Sequence, residues 1–249
     1  MLAEERRKQI LKRLSQEGQV LSADLVKEFG ISEDTIRRDL KELADAGMLK
    51  KVHGGAMATT TVPYEYGARQ ELNIPAKSAM ARRAVTLIQD GMLIFVDGGT
   101  TTVQIASHLP PNIKATFVTY SVPTATALSA FPRAEVILLG GKIIPDLLIT
   151  TGPELIQHAK QFMPDLAIIG VHGLTSAAGA TVESYDDALV KRQFIENTAE
   201  VAVLAGQEKL GFIASYFVAH LSELSYLISD ADDERLKPFV ESGLTIWKV

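Results

Sequence analysis

From Lys77 onward the chain alternates short, almost wholly apolar runs with helix-like stretches, and few folds accept that pattern. The runs at 93–96, 116–119, 136–139, 166–171, 201–204 and 226–228 have strand length, and most end in Gly, Asp or Ser. Between them, 102–108, 122–130 and 185–198 read as helical. A strand that is apolar on both sides has to be covered on both faces. The pattern therefore predicts a parallel sheet with helices on each side, a Rossmann-like α/β domain. Residues 58–76 carry threonines, two prolines and no clear period, and read as a connector. The expected division is 1–57, a linker over 58–76, and the α/β domain over 77–249.

The first 57 residues follow another rule. Ile10, Leu11 and Leu14 form one apolar stripe on a helix that stops at Gly18. Ser22 is the expected cap of a second helix over 23–29, ending at Gly30, and Ser32 the cap of a third, with Glu33 and Asp34 in its first turn. Projected at about 100° per residue, Ile36, Leu40 and Leu43 fall on one side of that third helix, and Asp34, Arg37, Arg38 and Lys41 on the other. Two helices joined by a tight glycine turn, the second presenting arginines, are the layout that reads a DNA major groove. An arginine fork pairs equally well with guanine edges or phosphate oxygens. Residues 48–56, with Lys50, Lys51 and a Gly-Gly turn, read as a hairpin wing lying along the DNA backbone.

Charge is distributed to match. The net charge is −5, yet residues 1–57 hold 11 Lys and Arg against 10 Asp and Glu, and the remainder 14 against 20. The candidate DNA contacts are Ser32, Thr35, Arg37, Arg38, Lys41, Lys50, Lys51 and His53. For His53 the choice between phosphate contact and a hydrogen bond within the turn stays open. Asp39 reads as a residue that orients an arginine. The bland alternative for the Arg37-Arg38 pair is a solvated helix face; cap, turn, helix and wing in order favour the groove reader.

In the second domain the clearest site-like feature is Asp97-Gly98-Gly99-Thr100-Thr101-Thr102, following an apolar strand. Two glycines let the backbone wrap closely around a ligand, and threonines open a helix whose free N–H groups suit an anion, phosphate above all. Open α/β sheets place ligands beyond the carboxyl ends of their strands. Other strand ends then converge there: Tyr120-Ser121, Gly140-Gly141-Lys142, His172-Gly173 and Gly206-Gln207-Glu208-Lys209. Lys77 at the start of the domain and Lys191 on a helix complete the candidate effector set.

Both halves resemble one family. Arg6, Ile10, the Ser32-x-x-Thr35-Ile36-Arg37-Arg38-Asp39-Leu40 stretch and Lys51-Val52-His53-Gly54-Gly55-Ala56 are similar to the DNA-binding signature of DeoR-family bacterial transcriptional regulators. Lys77, Asp97-x-Gly99-Thr100-Thr101, Leu139-Gly140-Gly141, Gly179-x-Thr181, Asp187-Ala188-x-Val190-Lys191-Arg192 and the 204–211 loop resemble the sensor domain of that family, which looks like ribose 5-phosphate isomerase. The resemblance implies a winged helix-turn-helix joined to an α/β sensor, acting as a ligand-gated repressor whose effector is a phosphorylated sugar or related metabolite. Two positions depart from it: Gly206 stands where the family commonly has an aspartate, and Ser121 where an asparagine is common.

Two alternatives accompany this reading. A sugar-phosphate isomerase would need a carboxylate to move a proton, with Asp97 and Lys209 the imaginable pair, and the missing acid at 206 argues against it. A constitutive DNA-binding protein with an assembly-only second domain predicts no stabilisation by any phosphorylated metabolite. The expected partners are a double-stranded DNA operator, a phosphorylated sugar and a second copy of the chain, since paired readers match repeated half-sites. The absence of cysteine excludes disulfides and thiolate metal sites, and the five histidines show no ligand spacing. No metal or cofactor is expected. The charged N-terminus and short apolar runs point to the cytoplasm, away from membranes.

Overall fold

The computed structural model describes residues 2–60, 62–240 and 242–249; Met1, Thr61 of the connector and Glu241 lie outside them. The N-terminal domain runs α1 (Ala3–Glu17), β1 (Gln19–Leu21), α2 (Ser22–Phe29), α3 (Glu33–Asp45), β2 (Lys50–Val52) and β3 (Gly55–Met57). Ile10 and Leu14 of α1, Leu25 of α2, and Ile36, Leu40 and Leu43 of α3 form its core. Gly18 and Gly30 end their helices in the left-handed region, with φ of 77° and 64°. The Ser32 hydroxyl accepts from the Thr35 amide at 3.3 Å, capping α3 as its sequence suggests.

Ser22 behaves differently from expectation. It is the first helical residue of α2, and Leu21 precedes it with no side-chain cap. The reason is β1, which pairs with β3 to make a three-stranded sheet ordered β1-β3-β2, so that the Ser22 amide is taken by the Gly54 carbonyl at 2.7 Å.

The connector is largely ordered structure. It contains α4 (Tyr66–Gln70) and the opening of α5 (Ile74–Val85), and Tyr66 and Arg69 are buried. The chain continues through β4 (Leu93–Val96), a 3₁₀ turn (Thr102–His108), β5 (Thr116–Thr119), α6 (Val122–Leu128), β6 (Glu135–Leu138), β7 (Lys142–Ile144), β8 (Ile149–Thr151) and α7 (Pro153–Ala159). It closes with β9 (Leu166–Gly170), β10 (Gly173–Thr175), β11 (Gly179–Val182), α8 (Tyr185–Glu196), β12 (Glu200–Leu204), β13 (Tyr216–Ala219), β14 (Tyr226–Ser229), α9 (Asp233–Val240) and β15 (Thr245–Lys248).

Among the described residues, seven of these strands form one parallel sheet ordered β15-β14-β12-β9-β4-β5-β6. Both faces are covered, which is why the strands read as unbroken apolar runs. Along β4, Ile94 and Val96 enter the core shared with Met80 of α5, while Phe95 enters the opposite core with Phe194 of α8. Full burial of such a side chain contributes about 1.5–3 kcal/mol. From β4 the chain winds outward through β5 and β6, then returns to β9 on the other side of β4. The order therefore reverses between β4 and β9, and the crevice beyond their carboxyl ends is where such sheets take ligands. No helix among the described residues is long and apolar enough to cross a membrane.

Three features escape the sequence pattern. The β7–β8 hairpin and the antiparallel sheet β10-β11-β13 are made of strands of three or four residues, too short to show a period. The stretch 102–108 coils as a 3₁₀ turn, not an α-helix. Its β-branched Thr100–Val103 run crowds an α-helical first turn, and the Thr102 hydroxyl donates to the Asp97 carbonyl at 2.9 Å, drawing the turn tight.

Candidate functional site

Two surfaces bring the candidate residues together. On the N-terminal domain, α3 packs Ile36, Leu40 and Leu43 inward and exposes Arg37, Arg38 and Lys41. Arg37 is engaged by Glu33 at 3.0 Å and Asp34 at 3.4 Å, and Lys41 by Asp45 at 3.2 Å. These are exposed pairs, worth little and readily exchanged for a phosphate. Arg38 has no partner among the described residues and is the freest cation on the helix. Lys50 and Lys51 are exposed on β2, and His53 is exposed in the turn to β3. Asp39 does orient arginines, as expected, but they come from α1: the Arg6 Nε donates at 2.6 Å and the Arg7 Nε at 3.0 Å. The side chains of Arg6 and Asp39 are 9% and 3% exposed, so the pair clamps α1 to α3 from the inside.

The second surface is a narrow cleft at the sheet's switch point, with about 20 Å³ of free volume. The Asp97–Thr101 loop after β4 and Gly170, Val171 and His172 after β9 line it, joined by Arg69 of α4, Asp187 and Lys191 of α8, and Lys209. Its floor is a buried polar network. Asp97 Oδ2 accepts from the Gly170 amide at 2.7 Å and lies 3.0 Å from Lys191 Nζ. Lys191 also reaches Asp187 Oδ2 at 2.8 Å, and the Tyr120 hydroxyl touches both Asp97 and Asp187. Asp187 and Lys191 share one face of α8 through their i,i+4 spacing, and Ser184 caps that helix by accepting from the Asp187 amide at 3.4 Å. Phe95 stacks between the Phe194 and Tyr120 rings, fixing where the tyrosine points.

The direction of each pKa shift follows from this geometry. The Tyr120 hydroxyl has one proton to share between the two carboxylates. Burial raises the pKa of Asp187, Lys191 pulls it back and Asp97 raises it again. Burial opposes the charge of Lys191, but the two carboxylates outweigh it and hold its pKa above the ordinary lysine value. Lys191 is thereby fully paired by the carboxylates of the floor.

The walls differ. Arg69, Lys77 and Lys209 are only 6%, 6% and 8% exposed, and among the described residues none has a carboxylate within ion-pair distance. Burial lowers the pKa of each, that of Lys209 to about 8. Arg69 NH1 donates to His172 Nε2 at 3.0 Å, which places the ring proton on Nδ1. Burial, reinforced by Arg69, lowers the His172 pKa to about 2, so the ring is a neutral donor. Arg69 Nε and His172 Nδ1 are buried with no partner. The amides of Gly98, Thr100 and Thr101 and the hydroxyls of Thr100 and Thr101 also find no acceptor among the described residues. Unsatisfied donors and unpaired cations thus converge on one cleft, the arrangement that an anion would satisfy.

Other candidates have different places. Thr102 is fully buried and holds the loop's shape, accepting from the Gly99 amide at 2.8 Å. Ser121 lies behind the loop, where its hydroxyl accepts from the Thr124 amide at 3.3 Å and caps α6. Lys77 stands in an adjoining chamber of about 170 Å³, shared with Asn73, Glu208 and the cleft residues Arg69, Thr100 and Lys209. Gly140, Gly141 and Lys142 are not brought to the cleft. They are exposed where β6, the edge strand farthest from the switch point on that side, runs into the β7–β8 hairpin. The hairpin's far end contributes Leu147 and Ile149 to the cleft instead.

Arg69 was not among the candidates; Tyr120 stood only as a strand end and Asp187 only within the family-like stretch, neither with a role in the site. Asp187 and Lys191 at i,i+4 on one helix were a readable signal; Arg69, inside the apparent connector, offered none.

Comparison with known proteins covers the same two halves. Residues 6–62 match the DeoR-like helix-turn-helix domain, and residues 72–231 the DeoR C terminal sensor domain. The HTH-type transcriptional regulator GlpR of Haloferax volcanii is 32% identical over 250 residues, covering 99% of this chain and 98% of that protein. The HTH-type transcriptional repressor GlcR of Bacillus subtilis is 33% identical over 232 residues, 92% of this chain and 89% of its own. Among solved structures, ribose 5-phosphate isomerase from Methanocaldococcus jannaschii covers 53% of this chain and 52% of its own at a TM-score of 0.39 and 16% identity.

Proposed function

The chain belongs to the DeoR family of transcriptional regulators, and we propose that this DNA-binding protein is a cytoplasmic repressor whose grip on its operator is set by a phosphorylated sugar or polyol held in the cleft. The observation that carries the effector is the set of three buried cations, Arg69, Lys77 and Lys209, without a carboxylate partner among the described residues. A phosphate group satisfies them, together with the free amides of the Gly98–Thr101 loop and the Thr100 and Thr101 hydroxyls. The carboxylates of the floor then face the organic part of the ligand, as acceptors for its hydroxyls.

A ligand regulates only through different affinities for the DNA-competent and incompetent states. The 206–213 segment supplies the physical link. Lys209 lines the cleft, while Leu210, Gly211 and Phe212 face Leu11, Leu14 and Met48 of the N-terminal domain across a cavity of about 180 Å³. Ile213 packs so tightly on the end of α1 that a Cβ on Gly18 would lie 2.6 Å from it. Drawing Lys209 towards a phosphate shifts the support beneath α1, and α1 is clamped to α3 through Arg6 and Asp39. Half-sites on the operator are read by paired copies of the chain.

The test is operator binding, followed by fluorescence anisotropy, with phosphorylated sugars titrated in and thermal stability measured in parallel. An effector at a hundred times its Kd adds about 2.7 kcal/mol to the folded state. Operator binding and melting temperature that ignore every phosphorylated sugar and polyol would remove the effector and leave a constitutive DNA binder.

A further inference from the structure

Consecutive residues of the Gly206-Gln207-Glu208-Lys209 turn face different spaces. Lys209 reaches the anion cleft, and Glu208 lines the adjoining chamber together with Asn73 and Lys77. The Glu208 Oε2 is buried and has no hydrogen-bond partner. An acceptor left in that condition is unfavourable unless something else satisfies it. Its placement depends on its neighbour: a Cβ on Gly206 would lie 2.5 Å from Oε2 and 2.6 Å from Oε1. The Glu208 carboxylate thus occupies the space that any side chain at 206 would fill, and only glycine leaves it room. The acid absent from position 206 returns to the same space from two residues further on.

The surroundings decide what this carboxylate can receive. Arg69, Lys77 and Lys209 line the same chamber, and their summed positive field disfavours an ammonium group there. Neutral donors carry no such penalty. Resting on the phosphate reading of the cleft, we infer that Glu208 is a specificity-determining residue, its carboxylate folded over Gly206 to accept hydrogen bonds from hydroxyl groups of a phosphorylated polyol whose phosphate sits beside Lys209. Glu208 also favours the charged forms of Lys77 and Lys209, in keeping with a carboxylate close to both amines.

The experiment is calorimetric titration of the full chain with inorganic phosphate, glycerol 3-phosphate and D-fructose 6-phosphate, comparing wild type, Glu208→Met, and the exchange Gly206→Asp with Glu208→Ser. Melting temperatures establish that each variant is folded. In Glu208→Met the phosphorylated polyol that binds wild type best weakens by about tenfold or more relative to inorganic phosphate. The exchange, which returns an acid to the same space, recovers most of that preference. Equal changes for inorganic phosphate and polyol phosphates, no change in Glu208→Met, or a folded exchange variant that recovers nothing overturns the assignment. If wild type binds inorganic phosphate but no polyol phosphate more tightly, Glu208 loses its role while the anion cleft stands. If wild type binds none of the three, the cleft reading and the assignment fall together.

Discussion

Raising the pH through the titration of Lys209 perturbs the cleft without altering a single atom of its framework. Burial, opposed by Glu208 and reinforced by Arg69, Lys191 and Lys77, lowers the pKa of this amine from 10.5 to about 8. At about 1.4 kcal/mol for each tenfold in the proton equilibrium, the ligand-free fold carries a cost of about 3 kcal/mol to keep the amine charged. The sign follows from proton counts. Between about pH 8 and 10.5 the unfolded chain binds the extra proton, so the stability of the ligand-free protein rises with pH across that window, and the cost is fully present below it. A phosphate beside the amine reverses the balance by raising its pKa, so binding takes up a proton once the free amine has lost its own.

Affinity for a phosphorylated ligand should therefore be level from about pH 7 to 8, where the phosphate is already dianionic. It should then weaken by about tenfold by about pH 9. Calorimetry in two buffers of different ionisation heat measures the proton uptake directly, and Lys209→Met should bind more weakly at every pH but without the slope. Constant affinity across that range with no proton uptake, or the same slope in Lys209→Met, would refute the placement of the phosphate beside Lys209.

Three other outcomes test separate parts of the structure. Asp39→Ala strands the buried Arg6 and should cost the N-terminal domain about 3 kcal/mol or more in urea denaturation, and Arg6→Met combined with Asp39→Leu should recover most of it; equal losses in the two variants would contradict the clamp. Arg38→Ala should weaken operator binding by about tenfold and flatten its salt dependence while leaving the melting temperature unchanged, whereas unaltered binding would show that α3 is turned the wrong way. In Gly98→Ala the new Cβ would meet Ile149 Cγ2 at 2.4 Å, deep in the wall of the cleft. That overpacking should cost about 1–3 kcal/mol and abolish the effector response with operator affinity retained; an intact response would mean the loop is not the phosphate cradle.

The cleft was half legible in the sequence. Asp97 through Thr101 stood out because a glycine pair after an apolar strand is a local pattern, and the switch point then lay where strand order required. Lys142 misled for the same reason: a Gly-Gly-Lys after a strand looks alike on any strand, and only the sheet order sets β6 at the edge. Lys191 was recognised but its use was not, since the two carboxylates that absorb its charge come from Asp97 on β4's loop and from its own helix. Arg69 was concealed by its setting, a stretch with two prolines and no period that nevertheless folds back as α4.

What the chain declares by itself is whatever repeats along it: the helical stripe of Ile36, Leu40 and Leu43, the caps at Gly18, Gly30 and Ser32, and the unbroken apolar strands that demand a doubly covered sheet. These are short-range consequences of backbone geometry and side-chain spacing. Only the tertiary structure decided that Arg69, Lys77 and Lys209 would be buried around one chamber, that Tyr120 would bridge Asp97 and Asp187, and that Glu208 would fill the room left by Gly206. Desolvation and charge compensation depend on which groups meet in space, and residues such as Arg69 and His172, 103 positions apart, meet only when the whole sheet has closed around them.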